Sequence, residues 1–243
     1  MAIIAVYNIK GGVGKTATSV NLSYMSAATG NSTLLCDLDP QGSASYYFRV
    51  KPKKKFTADR LLHGKDVLER SIRGTDYEQL DILPADFSYR HLDITLNRMK
   101  KSTKRLDKVL APMTAEYRHV FLDCPPNITL LSENIFYAAD VILIPFIPTT
   151  LSQLSFSKLL DFFKESGIDR KKLLVVFSMV EKKKNIHQDI LSRFSGKKGI
   201  LKTYIPYVTD IEQMGLFRQP VPVYDAKAGQ VYAKLWREVE QHL

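Results

Sequence analysis

Short unbroken apolar runs alternate along the chain with longer segments whose apolar residues recur at helical spacing. Ile3-Ile4-Ala5-Val6-Tyr7 is the first such run and reads as a β-strand buried on both faces. Further strands are expected at Ser32 to Gly42, Leu80 to Ala85, Tyr117 to Pro126, Asp140 to Pro145 and Leu173 to Met179. Ile200 to Tyr204 reads as a last strand, with Ile205-Pro206 as its exit. Lys15 to Thr29 has helical composition, and Gly30 is placed to cap it. Helical patterns also run from Phe87 to Met99 and from Thr103 to Leu110. Phe156, Leu159, Leu160 and Phe163 make one helical stripe; Ile186, Ile190, Leu191 and Phe194 make another. Thr57 to Gly64 reads as a short capped helix, and the mixed stretch Ser43 to Phe56 as a mobile loop. Near the C-terminus, Val231, Leu235 and Val239 share a stripe with Tyr232 and Trp236 beside it, as in a helix docked on the body. No internal repeat or low-complexity linker appears. The alternation predicts an α/β fold: a doubly wound, mostly parallel sheet with helices on both faces, formed by a single domain over residues 1–243.

Composition narrows the class. At 45% hydrophobic content, 243 residues suffice for one large core. No apolar run reaches the ~18 residues of a membrane span. The chain enters its first strand almost at once, so no signal peptide is expected. Cys36 and Cys124, the only cysteines, lie in strand-like runs without metal-ligand spacing, as buried hydrophobes of a reducing cytoplasm would. Net charge is +10, and much of the excess is clustered: Lys51 with Lys53, Lys54 and Lys55; Lys100 and Lys101 with Lys104 and Arg105; Arg170 to Lys172; Lys182 to Lys184; Lys197 and Lys198. Such a balance suits a polyanion, either nucleic acid or an anionic membrane surface.

The candidate chemistry sits where strands end. Lys10-Gly11-Gly12-Val13-Gly14-Lys15-Thr16 lies between the first strand and the first helix, the setting a phosphate-binding loop needs. The backbone N–H groups of Gly12, Val13, Gly14, Lys15, Thr16 and Ala17 can converge on phosphate oxygens, and the helix dipole favours the same anion. Lys15 is placed for the β- and γ-phosphates, and the Thr16 hydroxyl for Mg2+. The ordinary motif would put glycine at position 9, where Ile9 stands; a second lysine, Lys10, precedes the glycine pair instead. Asp37 and Asp39 close the second strand and point to the same face. Beside a phosphate loop they can orient water or support a metal shell, although Asp39 before Pro40 also suits an Asx-turn. Asp123 closes the strand that Pro125-Pro126 terminates; there an aspartate holds Mg2+ through water.

Lys10-Gly11-Gly12-Val13-Gly14-Lys15-Thr16, Asp37-Leu38-Asp39-Pro40-Gln41-Gly42 and Asp123-Cys124-Pro125-Pro126 together resemble the ParA/MinD family of deviant P-loop ATPases. The resemblance spans nearly the whole chain and is nearest the small, Soj-like ParA branch. It implies a SIMIBI-like P-loop fold, ATP and Mg2+ as ligands, and Asp39 as the residue tied to hydrolysis. It makes Met179 and Pro206 base contacts, Asp37 a supporting group behind the metal, and Gly11 part of the loop's close approach to a partner. It also implies an ATP-dependent homodimer, non-specific DNA binding, a ParB-like or adaptor activator, and a cytoplasmic, nucleoid-associated protein without stable membrane association. Three positions depart from the family pattern: Ala17 replaces a threonine, Asn127 a serine, and Tyr207-Val208-Thr209-Asp210 lacks the arginine often found there for DNA.

Lys10 has a physical rationale. Hydrolysis requires the phosphate charge to be neutralised, and no arginine finger is evident in cis. Lys15 already serves the phosphates from below. If two subunits meet over their nucleotides, each Lys10 can cross into the other site, and the dimer is isologous. DNA contact would then fall to Arg218, Lys227 or the lysine runs. Competing readings are positioning of a protein cargo on the nucleoid, a MinD-like membrane-surface regulator, an iron-protein-like redox role, for which the cysteines are wrongly placed, and a binding protein without hydrolysis.

Overall fold

The computed structural model describes residues 2–53, 56–62, 65–99 and 102–243. Lys54, Lys55, His63, Gly64, Lys100 and Lys101 of the expectations above lie outside the described residues.

Among the described residues seven strands form one sheet: β1 (Ala2–Val6), β2 (Thr33–Asp37), β3 (Arg73–Gly74), β4 (Leu80–Leu83), β5 (His119–Asp123), β6 (Val141–Phe146) and β7 (Leu173–Phe177). Their order is β3-β4-β2-β5-β1-β6-β7, and every pair is parallel except β3 with β4. Parallel strands need covering on both faces. Alternate residues of β1, with Tyr7 after it, accordingly enter two separate cores: Ile3, Ala5 and Tyr7 one, Ile4 and Val6 the other.

Helix α1 (Lys15–Ala28) follows β1, and α2 (Ser43–Tyr47) follows β2. Helices α3 (Leu130–Ala138), α4 (Thr150–Glu165) and α5 (Asn185–Phe194) pack on the first core through Ile135 and Phe136, Leu159 and Phe163, and Ile190. α6 (Ala226–Glu240) joins α1 on the second, burying Tyr232, Leu235, Trp236 and Val239. Its apolar stripe is therefore consumed by the sheet, as a docked closing helix requires. Gly30 ends α1 as expected, its N–H donating to Ala27 O at 2.8 Å.

Four expectations are corrected. The stretch read as a mobile loop begins with α2, which is too short to show periodicity and is fastened from outside: Ser45 N and Oγ donate to Asp37 Oδ2 at 2.8 and 2.6 Å. The segment after Gly199 is no strand. It touches the β7 edge through isolated bridges, Val175 to Ile200 and Val180 to Pro206. Gly199 has φ +79°, and a Cβ there would stand 2.8 Å from Leu173 O, so the chain turns sharply where a ladder would begin. The short helix spans Ala58–Leu61, and its first N–H is capped by Ser88 Oγ at 2.8 Å, not by Thr57. The periodic segment from Phe87 divides into a 3-10 turn, Phe87–His91, and a helix, Leu92–Asn97. Helix α3 and the two-residue β3 had no counterpart in the sequence reading.

Candidate functional site

β1, an interior strand of the sheet between β5 and β6, delivers the glycine-rich loop to the carboxyl edge, where open α/β sheets bind ligands. Gly12 and Gly14 take φ +71° and +88°, values open to glycine and strained for other residues, and α1 starts at Lys15. A cleft of about 400 Å3 opens there. Gly11, Gly12, Gly14, Lys15, Thr16 and Ala17 line it from the loop, Asp39 from just past β2, and Met179 and Pro206 from the chain that follows β7. Segments far apart in sequence are thus brought to one cavity. Val13 is buried beneath the loop, and its carbonyl accepts a 2.8 Å hydrogen bond from Ser178 Oγ, tying the loop to the end of β7. Met179, the next residue, is left-handed at φ +51°, and its Cε approaches a Cβ built on Gly14 to 3.8 Å.

The two lysines part company. Lys15 is 8% exposed and lines the cleft, its Nζ donating to Lys10 O at 3.2 Å. Burial pulls its pKa down, while Asp123, Cys124 and Asp39 oppose that shift. Lys10 is half-buried, its N–H is held by Asn8 Oδ1 at 2.9 Å, and it is not among the residues lining the cleft.

Beneath the cleft, Asp37 and Asp123 are direct register partners on β2 and β5, both with no exposed surface. Asp123 Oδ1 accepts from Ser19 Oγ at 2.9 Å and Asp37 Oδ2 from Ser45. Asp37 Oδ1 and Asp123 Oδ2 are buried without a partner. Burial raises the pKa of both carboxyls, and their mutual repulsion adds to it in Asp123; hydroxyls of Ser45, Thr16 and Ser19 offset part of the shift. Two unsatisfied carboxylate oxygens on adjacent strands, beneath Thr16, fit a hydrated divalent cation. Among the described residues no cluster of three or more His, Cys, Asp or Glu could hold a metal. A cation here would draw further oxygens from Thr16, water and the nucleotide.

Asp39 is half-buried and does two things. Its Oδ1 accepts the Gln41 N–H at 3.0 Å, the Asx-turn foreseen at Pro40, and it also faces the cleft. Ser43, Tyr47, Ser178, Tyr207, Val208, Ile211 and Glu212 line the same cavity and escaped the sequence reading. Only Ser178 carried a signal, as a residue at the carboxyl end of an apolar strand.

Two basic residues of the charge clusters, and Arg218 outside them, are engaged locally. Lys172 Nζ donates to Ala139 O at 2.6 Å past the end of α3, and Arg105 donates to Leu62 O at 2.5 and 2.9 Å. Arg218 stacks on the Tyr46 ring at 4.2 Å and donates to Tyr46 O. Cys36 and Cys124 are free, buried thiols whose pKa values burial pushes up.

Comparison with known proteins agrees with this geometry. Residues 1–175 match a family model described as an AAA domain. The chain is 31% identical over 250 residues to the chromosome partitioning protein ParA of Myxococcus xanthus, covering 98% of this chain and 87% of that one. It is 30% identical over 247 residues to the sporulation initiation inhibitor protein Soj of Bacillus subtilis, covering 98% and 97%. The McdA–ATP complex from Cyanothece superposes with a TM-score of 0.85 at 16% identity, over 99% of this chain and 96% of that one. Loop, carboxylates, sheet order and near-full-length identity converge, and the chain belongs to the ParA/MinD family of P-loop ATPases.

Proposed function

We propose that the chain binds ATP with Mg2+ in this cleft, hydrolyses it slowly, and in its ATP state pairs with a second copy and holds DNA non-specifically. In this reading it partitions or positions DNA over the nucleoid with a ParB-type activator. The observation that carries it is the division between the lysines: Lys15 lines the cleft and Lys10, in the same loop, does not. Lys15 and the loop N–H groups bind the phosphates, and Thr16, Asp123 through water, and Asp37 behind them hold the metal. The cation, when bound, neutralises phosphate charge and fixes the geometry for in-line attack. Asp39 orients the attacking water, and Met179 and Pro206 flank the base. Lys10, having no place in its own cleft, serves the partner's triphosphate.

Full-length protein is compared by size-exclusion chromatography with ATP and Mg2+, as Asp39→Ala and as Asp39→Ala/Lys10→Ala. The first is expected to elute as a dimer that sediments with DNA. The second is expected to bind ATP within about threefold of the first, as an absent uniform contact predicts, and to stay monomeric. A dimer that persists without Lys10 overturns the reading. Failure of the dimer to sediment with DNA overturns its DNA part.

A further inference from the structure

The segment that follows β4 carries two opposed stripes. Tyr89, Leu92 and Leu96 are buried in the first core. Phe87, Arg90, His91, Ile94, Asn97 and Arg98 share the outer side of the 3-10 turn Phe87–His91, the helix Leu92–Asn97 and its cap, and all six are exposed. Phe87 keeps 64% of its surface in solvent and Ile94 53%, so two large apolar side chains stand on open surface two turns apart.

The polar groups between them are held in place. The Arg90 guanidinium lies over the Phe87 ring at 4.0 Å, and its Nε donates to His91 Nε2 at 2.9 Å. Its ring-facing side and one edge are thereby used, which leaves the two terminal nitrogens for a fork-shaped bond to an anion. Among the described residues neither Arg90 nor Arg98 makes an ion pair. The carboxylates of the segment are committed to backbone: Asp86 Oδ1 accepts from Ser88 N and Asp93 Oδ1 from Leu131 N, each at 2.9 Å. Asp59 Oδ1, from a neighbouring helix, accepts from Thr95 Oγ1 at 3.1 Å. The outer stripe therefore combines positive charge with apolar surface and contains no acid.

That combination selects among partners. Duplex DNA supplies phosphates but no apolar side chains to cover Ile94. A bilayer surface is held by a longer apolar stripe than two residues provide. A two-fold contact through this face would set the arginines of one copy against those of the other. We propose that the face receives an acidic, amphipathic helix of a different protein, with its apolar side chains on Phe87 and Ile94 and its carboxylates on Arg90 and Arg98. Apolar anchors at helical spacing, flanked by charge, are how such helices are recognised. The face is separate from the nucleotide cleft, which none of its six residues lines.

The test starts from a displayed library of random peptides of about 20 residues, long enough to form a helix. The library is depleted on Arg90→Glu/Ile94→Ser and then selected on the unaltered full chain, so that binders of this face are retained. The retained peptides are expected to be acidic, with apolar residues at helical spacing. One of them, labelled with fluorescein, should bind the full chain about tenfold or more weakly after Phe87→Ser, Ile94→Ser or Arg90→Glu. Arg90→Lys, which keeps the charge without the fork, should lose less, and added salt should weaken binding. These side chains are exposed, so the variants should melt as the unaltered chain does. The inference is overturned if no peptide is retained, if the retained peptides carry no acidic excess, or if single substitutions leave the affinity unchanged. Displacement of the peptide by duplex DNA or by phosphatidylserine vesicles would make the face a nucleic-acid or bilayer contact and overturn it too. So would altered sedimentation of Phe87→Ser with ATP, which would make it a contact between copies of the chain.

Discussion

Strands β2 and β5 run side by side, and their two ends treat buried polar groups in opposite ways. At the amino end Thr33 pairs with His119, and Ser26 Oγ lies 2.8 Å from both Thr33 Oγ1 and His119 Nδ1. The Trp236 ring meets His119 edge-on at 5.1 Å and packs on Phe121 at 5.7 Å. Apart from Trp236 Nε1, which finds no acceptor, this network is closed upon itself. At the carboxyl end Asp37 pairs with Asp123, and each leaves one buried oxygen unpartnered. One end holds the layers together; the other is arranged so that a ligand must complete it. A fold accommodates unsatisfied charge where binding supplies the missing partners, and stabilises itself elsewhere.

Truncation should separate the ends most sharply. Trp236→Ala, which empties the pocket between α6 and the sheet, is expected to cost about 3–5 kcal/mol in chemical denaturation. Asp123→Asn should do the reverse: ATP hydrolysis falls by about 10- to 100-fold, as loss of a metal-supporting group does, while the melting temperature holds or rises by about 2–4 °C with the repulsion relieved. If Asp123→Asn destabilised the ligand-free protein as Trp236→Ala does, the contrast would be lost. Ser45→Ala lies between, removing one bond to Asp37 and the 2.9 Å bond that Ser45 Oγ accepts from Ala85 N. It should cost about 1–2 kcal/mol and loosen α2.

The smallest effect is in pH. Burial, with the Arg118 charge beside it, pushes His119 down from 6.5 to about 4. The unfolded chain therefore takes up a proton that the fold refuses, and this contribution to stability is lost as pH falls from 6.5 toward 4. Asp37 and Asp123 have the opposite sign. Their raised pKa values mean the ligand-free fold keeps protons that the unfolded chain releases above the ordinary carboxylate range, so stability falls as pH rises from there. Melting curves of His119→Gln should lose the acid-side loss of stability, and those of Asp123→Asn the decline on the other side.

Much of this was legible in residues that obey a local rule. Lys15, Thr16, Asp39 and Asp123 follow buried strands and announce themselves by type and spacing. Met179 and Pro206 were reached only through the family resemblance, and both line the cleft. Tyr47 was hidden because α2 depends on Ser45 bonding to Asp37, a contact between segments that no periodicity encodes. Helix α3 carried one overlooked cue: Thr129 and Ser132 form a reciprocal capping box at its start. The expected last strand failed on Gly199, whose backbone turn outweighs the apolar run that follows. The basic clusters were read as suiting a polyanionic partner, and Lys172 and Arg105 show another use, as donors to backbone carbonyls at the ends of chain segments.

The single hydrogen bond from Ser178 to Val13 has a wider effect than its 2.8 Å suggests. It rivets the shelf beside Met179 to the cradle made by the glycines, so those two walls cannot drift independently. In an ATP site built this way the protein gauges the ligand like a calliper, and a molecule that fills only one jaw leaves the other holding water.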